Sequence, residues 1–122
     1  MAKGAKAMVL VVEDERPIAS LLARLVEECG AEVQIAYNGG DALRRMVQQR
    51  PDLVLLDLIM PLMSGEEVLQ TMHEDAELKD VPVIVISTKE MMDDTAVRPA
   101  AFVQKPFEPS EVKRLVRELL GA

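Results

Sequence analysis

The feature that most constrains the fold is a short, wholly apolar segment that ends in an acid. It is Leu53–Leu56, and Asp57 follows it directly. Because no position in the segment is polar, both faces of such a strand must be covered, as in a parallel sheet packed between helices. The carboxyl end of a strand of this kind opens onto the crevice where α/β proteins bind ligands. A single Asp is also common in turns, so the other segments must decide between the two interpretations.

Three further segments, apolar or nearly so, end in the same way, with a charged or hydroxyl side chain after the last strand residue. They are residues 8–12 before Glu13 and Asp14, residues 83–86 before Ser87 and Thr88, and residues 101–104 before Lys105. In a parallel sheet the carboxyl ends of all strands lie at one edge of the molecule. The sequence therefore predicts that these acids, hydroxyls and ammonium converge on Asp57.

Helical patterns separate the strand segments. In residues 17–29 apolar side chains recur on one helical face, and Gly30 follows as a helix end. Residues 32–36 alternate only in part, which is typical of an edge strand. The alternation predicts an α/β fold, a doubly wound five-stranded parallel sheet with helices on both faces. Residues 89–99, which Pro99 ends, hold a short or irregular fourth helix at best.

Length and charge narrow the classes of function. The 122 residues suffice for one domain, expected at residues 8–122 after a flexible tail at residues 1–7. A net charge of −7 favours a metal cation or a basic partner surface over nucleic acid or an anionic membrane. There is no membrane-length apolar run or signal peptide, and the single Cys29 has no partner for an internal disulfide. We therefore expect a cytoplasmic protein that makes no direct contact with nucleic acid or membrane.

The acids suggest a metal site. If Glu13, Asp14 and Asp57 cluster about 5 Å apart, each pair repels by about 3 kcal/mol, so the cluster must hold protons or a cation. No His or Cys lies nearby in the sequence, so the cation should be one that prefers oxygen ligands, Mg²⁺ or Mn²⁺. Taken alone, Glu13 and Asp14 fit equally well as acids that complement the positive end of the following helix.

Lys105 and Ser87 indicate that the predicted metal site also binds a phosphoryl group. An ammonium and a bound cation would neutralise a phosphoryl group, and the Ser87 hydroxyl would hydrogen-bond one of its oxygens. The chain has no glycine-rich phosphate loop, which argues against a bound nucleotide. The remaining nucleophile is a carboxylate, and Asp57 would become an aspartyl phosphate.

These motifs, in this order, resemble the receiver domain of bacterial two-component response regulators over residues 8–120. The resemblance implies a flavodoxin-like strand order of 2-1-3-4-5 and makes Asp57 the phosphoacceptor. It also implies that Asp14, Asp57 and the backbone carbonyl of Ile59 ligate Mg²⁺ directly, with Glu13 acting through water. The phosphate-binding and switch residues that it implies are Ser87, Thr88, Lys105 and Phe102. A core aromatic is the alternative interpretation of Phe102.

The resemblance also implies partners and a mode of action. The phosphoryl donor would be a sensor histidine kinase or a phosphotransfer protein, and the output a downstream protein or an output domain outside this chain. The domain would then be a signalling switch rather than an enzyme. The alternative is a phosphorylation-independent interaction module on the same fold.

The sequence departs from the family pattern at two places, which affect the output surface and the lifetime of the aspartyl phosphate. The stretch between Ser87 and Lys105 is shorter than usual and carries Pro99 in place of a glycine. The residue two after Asp57 is the apolar Ile59, and the residue two after Ser87 is Lys89; in the family the side chains at these two positions flank the hydrolytic water. Ile59 cannot orient water, so we expect slow self-dephosphorylation. It also argues against an aspartyl-intermediate phosphatase, which would need a second acid there.

Overall fold

One parallel sheet organises the chain. The computed structural model describes residues 6–91 and 97–121. Its strands are β1 (Met8–Val12), β2 (Glu32–Ala36), β3 (Leu53–Leu56), β4 (Val83–Ser87) and β5 (Ala101–Gln104). The helices of the described residues are α1 (Arg16–Glu28), α2 (Gly39–Gln48), α3 (Gly65–His73) and α4 (Pro109–Leu120).

The strands are parallel and lie in the order β2-β1-β3-β4-β5, which confirms the predicted fold class and strand order. Every residue of β1, β3 and β4 is buried, whereas β2 and β5 at the sheet edges are mixed. This explains why the three central strands are apolar except for Ser87 at the end of β4, and why β2 alternates only in part. The partial alternation correctly indicated an edge strand.

Alternate strand residues face two separate cores. On one face, residues such as Leu10, Leu56 and Val85 pack with α2 and α3. On the other, Val11 and Leu55 pack with α1 and α4. The sheet is thus covered on both sides, and the carboxyl ends of its strands are left as the accessible polar edge.

Local capping fixes where two helices begin. The Asn38 side chain accepts a hydrogen bond of 2.8 Å from the Asp41 N–H, so Asn38 caps α2. The sequence Asn38-Gly39-Gly40, which is typical of a turn, is thus the start of this helix. At α3, Ser64 and Glu67 form a reciprocal capping box. Gly65 follows this cap, which brings the start of α3 directly beside the end of β3.

Three expectations concern the ends and connections of the chain. The predicted fourth helix falls largely on residues 92–96, outside the described residues, and the flanking residues 89–91 and 97–99 are not helical. The predicted tail at residues 1–7 is described only at its end, where the Ala7 carbonyl accepts a hydrogen bond of 2.8 Å from the Glu32 N–H. Within the described residues, no helix is long and apolar enough to cross a membrane.

Candidate functional site

The strand ends converge at the carboxyl edge of the sheet. The Asp57 N–H donates to the Val12 carbonyl at 3.1 Å, which places Asp57 beside the exit of β1. The Lys105 N–H donates to the Ser87 carbonyl at 3.0 Å, which joins the exits of β4 and β5. Residues distant in sequence are thus brought together by the parallel register, as predicted.

Three carboxylates form the acidic part of this site. Glu13, Asp14 and Asp57 each offer an oxygen, and these oxygens lie within 4.8 Å of one another. Glu13 and Asp57 are 1% and 5% exposed, whereas Asp14 is partly exposed. Two buried acids and a third at the surface provide an all-oxygen ligand set with an open side, which fits Mg²⁺.

Lys105 reaches into the acidic cluster. Its Nζ lies 2.7 Å from Glu13 Oε1 and 3.3 Å from Asp57 Oδ2, and its side chain is 9% exposed. Burial alone would lower the pKa of Lys105, but the hydrogen bond that Lys105 donates to Glu13 and the charges of Glu13 and Asp57 raise it above its ordinary value. Lys105 is therefore a permanent cation beside the Asp57 carboxylate.

Glu13 is the acid that the cluster perturbs most. Burial raises the pKa of Glu13 from 4.5 to about 7, and the neighbouring charge of Asp57 adds to the rise against the hydrogen bond from Lys105. Its Oε2 also accepts a hydrogen bond of 3.2 Å from the Glu15 N–H at the start of α1. Glu13 thus serves both interpretations weighed from the sequence, as an acid at a helix start and as a member of the cluster.

The loop after β3 orients Asp57. The Ile59 N–H donates to Asp57 Oδ1 at 3.2 Å, so the two carboxylate oxygens have different partners. Gly65 packs against the backbone of this loop. A Cβ at Gly65 would lie 2.2 Å from the Asp57 carbonyl oxygen and 2.6 Å from the Cα of Leu58. Only a glycine permits α3 to start this close to the acid.

The two hydroxyl candidates differ. Ser87 is fully buried, and its Oγ accepts a hydrogen bond of 3.2 Å from the Lys89 N–H. Thr88 is exposed. Ser87, at the end of β4 and joined to Lys105, is therefore the hydroxyl built into the site, and Thr88 lies at its rim.

Phe102 lies apart from the acidic cluster, on the edge strand β5. It is 37% exposed and lines a groove of about 530 Å³, so the core-aromatic interpretation is wrong. The groove is lined by Glu90, Met91, Arg98, Pro99, Phe102 and Gln104. Phe102 pairs with Val85 of β4, two residues before Ser87. It is thus placed beside the strand that carries the site's hydroxyl.

The sequence did not reveal one contact at the site's rim. Lys89 Nζ lies 2.8 Å from Glu66 Oε1, which joins the segment after β4 to the start of α3. The sequence marked Lys89 only by its position two after Ser87 and did not mark Glu66, which is separated from Lys89 by 23 residues. The helix start at Gly65 and the adjacency of β3 and β4 are the signals that could have brought them together.

Comparisons with known proteins agree with this geometry. The family model described as the response regulator receiver domain matches residues 9–117. Protein PilH of Pseudomonas aeruginosa is 35% identical over 119 residues, covering 94% of this chain and 98% of that protein. The transcriptional regulatory protein PrrA of Mycobacterium leprae is also 35% identical, but the match covers 92% of this chain and 49% of PrrA. Receivers of this kind thus occur both as nearly whole proteins and as about half of a longer one.

A solved structure extends the agreement to the fold. The Vibrio cholerae chemotaxis protein CheY4 superimposes with a TM-score of 0.86 at 26% identity, covering 94% of this chain and 99% of CheY4. Family model, relatives and fold all cover the segment that carries the acidic cluster, Ser87 and Lys105. The chain belongs to the response regulator receiver domain family, the receivers of two-component signalling.

Proposed function

We propose that this receiver accepts a phosphoryl group on Asp57 and that the modification changes which protein it binds. The observation that carries the proposal is the environment of the Asp57 carboxylate. It is held between the Lys105 ammonium and the Ile59 N–H, beside the two other carboxylates of the cluster. An oriented carboxylate next to a fixed cation is the arrangement that an anionic nucleophile needs to approach an anionic phosphoryl group.

The donor set fits a divalent cation, Mg²⁺ or Mn²⁺. Asp14 and Asp57 would hold it directly, with Glu13 through water and the Ile59 carbonyl as a further ligand. Burial that raises the pKa of Glu13 to about 7 is a cost that a nearby cation would remove. When bound, the ion would offset the charge of the transferring phosphoryl group.

In the transfer step, one oxygen of the Asp57 carboxylate attacks the phosphorus of a phosphohistidine. The new O–P bond forms as the P–N bond breaks, and the electron pair returns to the donor's imidazole, which then takes up a proton. Lys105 balances charge on the phosphoryl oxygens, and the Ser87 hydroxyl donates a hydrogen bond to one of them. The donor would be a sensor histidine kinase or a phosphotransfer protein.

The chain would act as a switch in the cytoplasm rather than as an enzyme, because the phosphoryl group is transferred to its own carboxylate and no external substrate is turned over. Hydrolysis that resets the switch should be slow. Ile59, two residues after Asp57, is 53% exposed and has no polar side-chain atom with which to orient water. The partner would be a downstream protein or an output domain outside this chain.

Intact mass tests the proposal. Wild-type protein is incubated with acetyl phosphate and Mg²⁺, beside Asp57→Asn and beside wild type with a chelator. We expect one phosphoryl group on wild type with Mg²⁺ and none on the other two. No gain by wild type would favour the phosphorylation-independent interaction module, and equal gain by Asp57→Asn would show that another residue is modified.

A further inference from the structure

The ion pair between Lys89 and Glu66 spans the two segments that flank Asp57. Lys89 lies two residues after β4, and Glu66 is the second residue of α3. Their side chains meet at 2.8 Å. The pair therefore ties the segment after β4 to the start of the helix that follows the phosphoacceptor strand.

Both ends of the pair are anchored in the site itself. Gly65, next to Glu66, packs so closely on the Asp57 backbone that a Cβ would lie 2.2 Å from the Asp57 carbonyl oxygen. The Lys89 N–H donates to the buried Ser87 Oγ at 3.2 Å. The Lys89 backbone thus contacts the hydroxyl of the site, while its ammonium is held by an acid that belongs to the opposite segment.

After phosphorylation the site would carry uncompensated negative charge, which one more cation could balance. The three carboxylates and Lys105 together carry two excess negative charges, which a divalent cation would balance. A phosphoryl group on Asp57 replaces a single negative charge by nearly two at neutral pH. The phosphorylated site would then be short of positive charge, with Lys89 at its rim.

We propose that Lys89 is a second ammonium of this site and that a phosphoryl group on Asp57 draws it away from Glu66. This rests on the proposed phosphorylation of Asp57. The Lys89 and Glu66 side chains are 41% and 13% exposed, so water weakens their attraction. A phosphoryl dianion is a stronger acceptor for an ammonium than one carboxylate oxygen is. When Lys89 moves from Glu66 to the phosphoryl group, the ion pair between the segment after β4 and α3 is broken. Glu66 therefore competes with the phosphoryl group for Lys89.

Beryllium trifluoride, which mimics a phosphoryl group on a carboxylate, tests the exchange without a partner protein. Its dissociation constant in the presence of Mg²⁺ is measured by fluorine NMR for wild type, Lys89→Gln, Glu66→Gln and the double variant. Glu28→Gln serves as the matched control, since Glu28 pairs with Lys113 at 3.1 Å away from this site. Thermal unfolding without beryllium trifluoride checks that each variant is folded.

We expect Lys89→Gln to weaken binding about tenfold, the effect of one charge-assisted contact. Glu66→Gln should tighten binding about threefold, because it removes the acid that competes for Lys89 in a partly exposed ion pair. In the Lys89→Gln background, Glu66→Gln should have no effect, and Glu28→Gln should bind like wild type.

The outcomes separate the two proposals. If wild type binds beryllium trifluoride and Lys89→Gln binds equally well, the exchange is overturned and phosphorylation of Asp57 stands. An effect of Glu66→Gln that persists without Lys89 would also overturn it. If wild type with Mg²⁺ fails to bind, the proposed function is overturned together with this inference.

Discussion

Replacing Gly65 by alanine tests whether the start of α3 is fixed by its contact with Asp57. The new Cβ would lie 2.2 Å from the Asp57 carbonyl oxygen and 2.6 Å from the Leu58 Cα, and both are backbone atoms. Carbon contacts are most favourable at about 3.5 Å, so the helix and the strand end must separate by about 1 Å. Because both contacts are with backbone atoms, no side-chain rotation can relieve the clash.

The magnitude follows from what α3 buries. Val68, Leu69 and Met72 are at most 4% exposed, so a displacement of the helix loosens three core side chains at once. Overpacking of this kind costs about 1–3 kcal/mol, and the better helix propensity of alanine returns at most about 1 kcal/mol. We expect a net loss of about 1–2 kcal/mol in the free energy of unfolding, a substantial fraction of a domain's stability.

Urea unfolding followed by circular dichroism measures this loss, with Gly40→Ala as the control. A Cβ at Gly40 would meet only the Asn38 side chain, at 3.6 Å, so Gly40→Ala should be neutral or stabilising by up to about 1 kcal/mol. Gly65→Ala should also bind Mg²⁺ more weakly, since the loop that it displaces carries Asp57. If Gly65→Ala unfolds like wild type, the close packing does not constrain the helix and the reasoning is wrong.

Three further predictions concern strain, protonation and hydrolysis. Leu62 has a positive φ of 71° and a fully exposed side chain, so Leu62→Gly should stabilise the protein by about 1 kcal/mol in urea unfolding. Because the pKa of Glu13 is raised from 4.5 to about 7, its stabilising contribution is present below 4.5 and lost as the pH rises through 7. Metal-free protein should thus lose about 1 kcal/mol between pH 6 and pH 8, a difference that Glu13→Gln abolishes. Ile59→Asn, which supplies an amide beside the acyl phosphate, should speed loss of the phosphoryl group several-fold, as measured by intact mass over time.

Each of these has a contrary result. Lower stability of Leu62→Gly would mean that the leucine makes a favourable contact that its exposure conceals. An equal pH dependence in wild type and Glu13→Gln would assign the titration to another group. An unchanged lifetime in Ile59→Asn would show that side-chain polarity at this position does not govern access of water.

Much of the fold and the acidic site follows from the sequence because both depend on strand order. Apolar runs locate the buried strands, and parallel pairing then places Glu13, Asp57 and Lys105 at one edge whatever the details of the loops. The edge position of residues 32–36 follows in the same way from their partial alternation. These features rest on burial and topology, which the spacing of apolar residues encodes.

What the sequence concealed depends on single side chains and on contacts between distant segments. A turn and a capped helix start share the same residues at Asn38, and only the side-chain bond to the Asp41 N–H distinguishes them. The pairing of Lys89 with Glu66 needs the placement of α3 against β3, which depends on the clearance at Gly65. The exposure of Phe102 likewise follows from the edge position of β5 and cannot be read from its neighbours in sequence.

The most direct test of phosphorylation at Asp57 is to locate the phosphoryl group. Protein treated with acetyl phosphate and Mg²⁺ is reduced with borohydride, which converts an aspartyl phosphate to homoserine, and is then digested and sequenced by mass spectrometry. A metal-dependent phosphoacceptor at Asp57 predicts homoserine at position 57, dependent on Mg²⁺ and greatly reduced in Lys105→Met. Conversion at another acid such as Asp14, or conversion at position 57 that is independent of Mg²⁺, would contradict it.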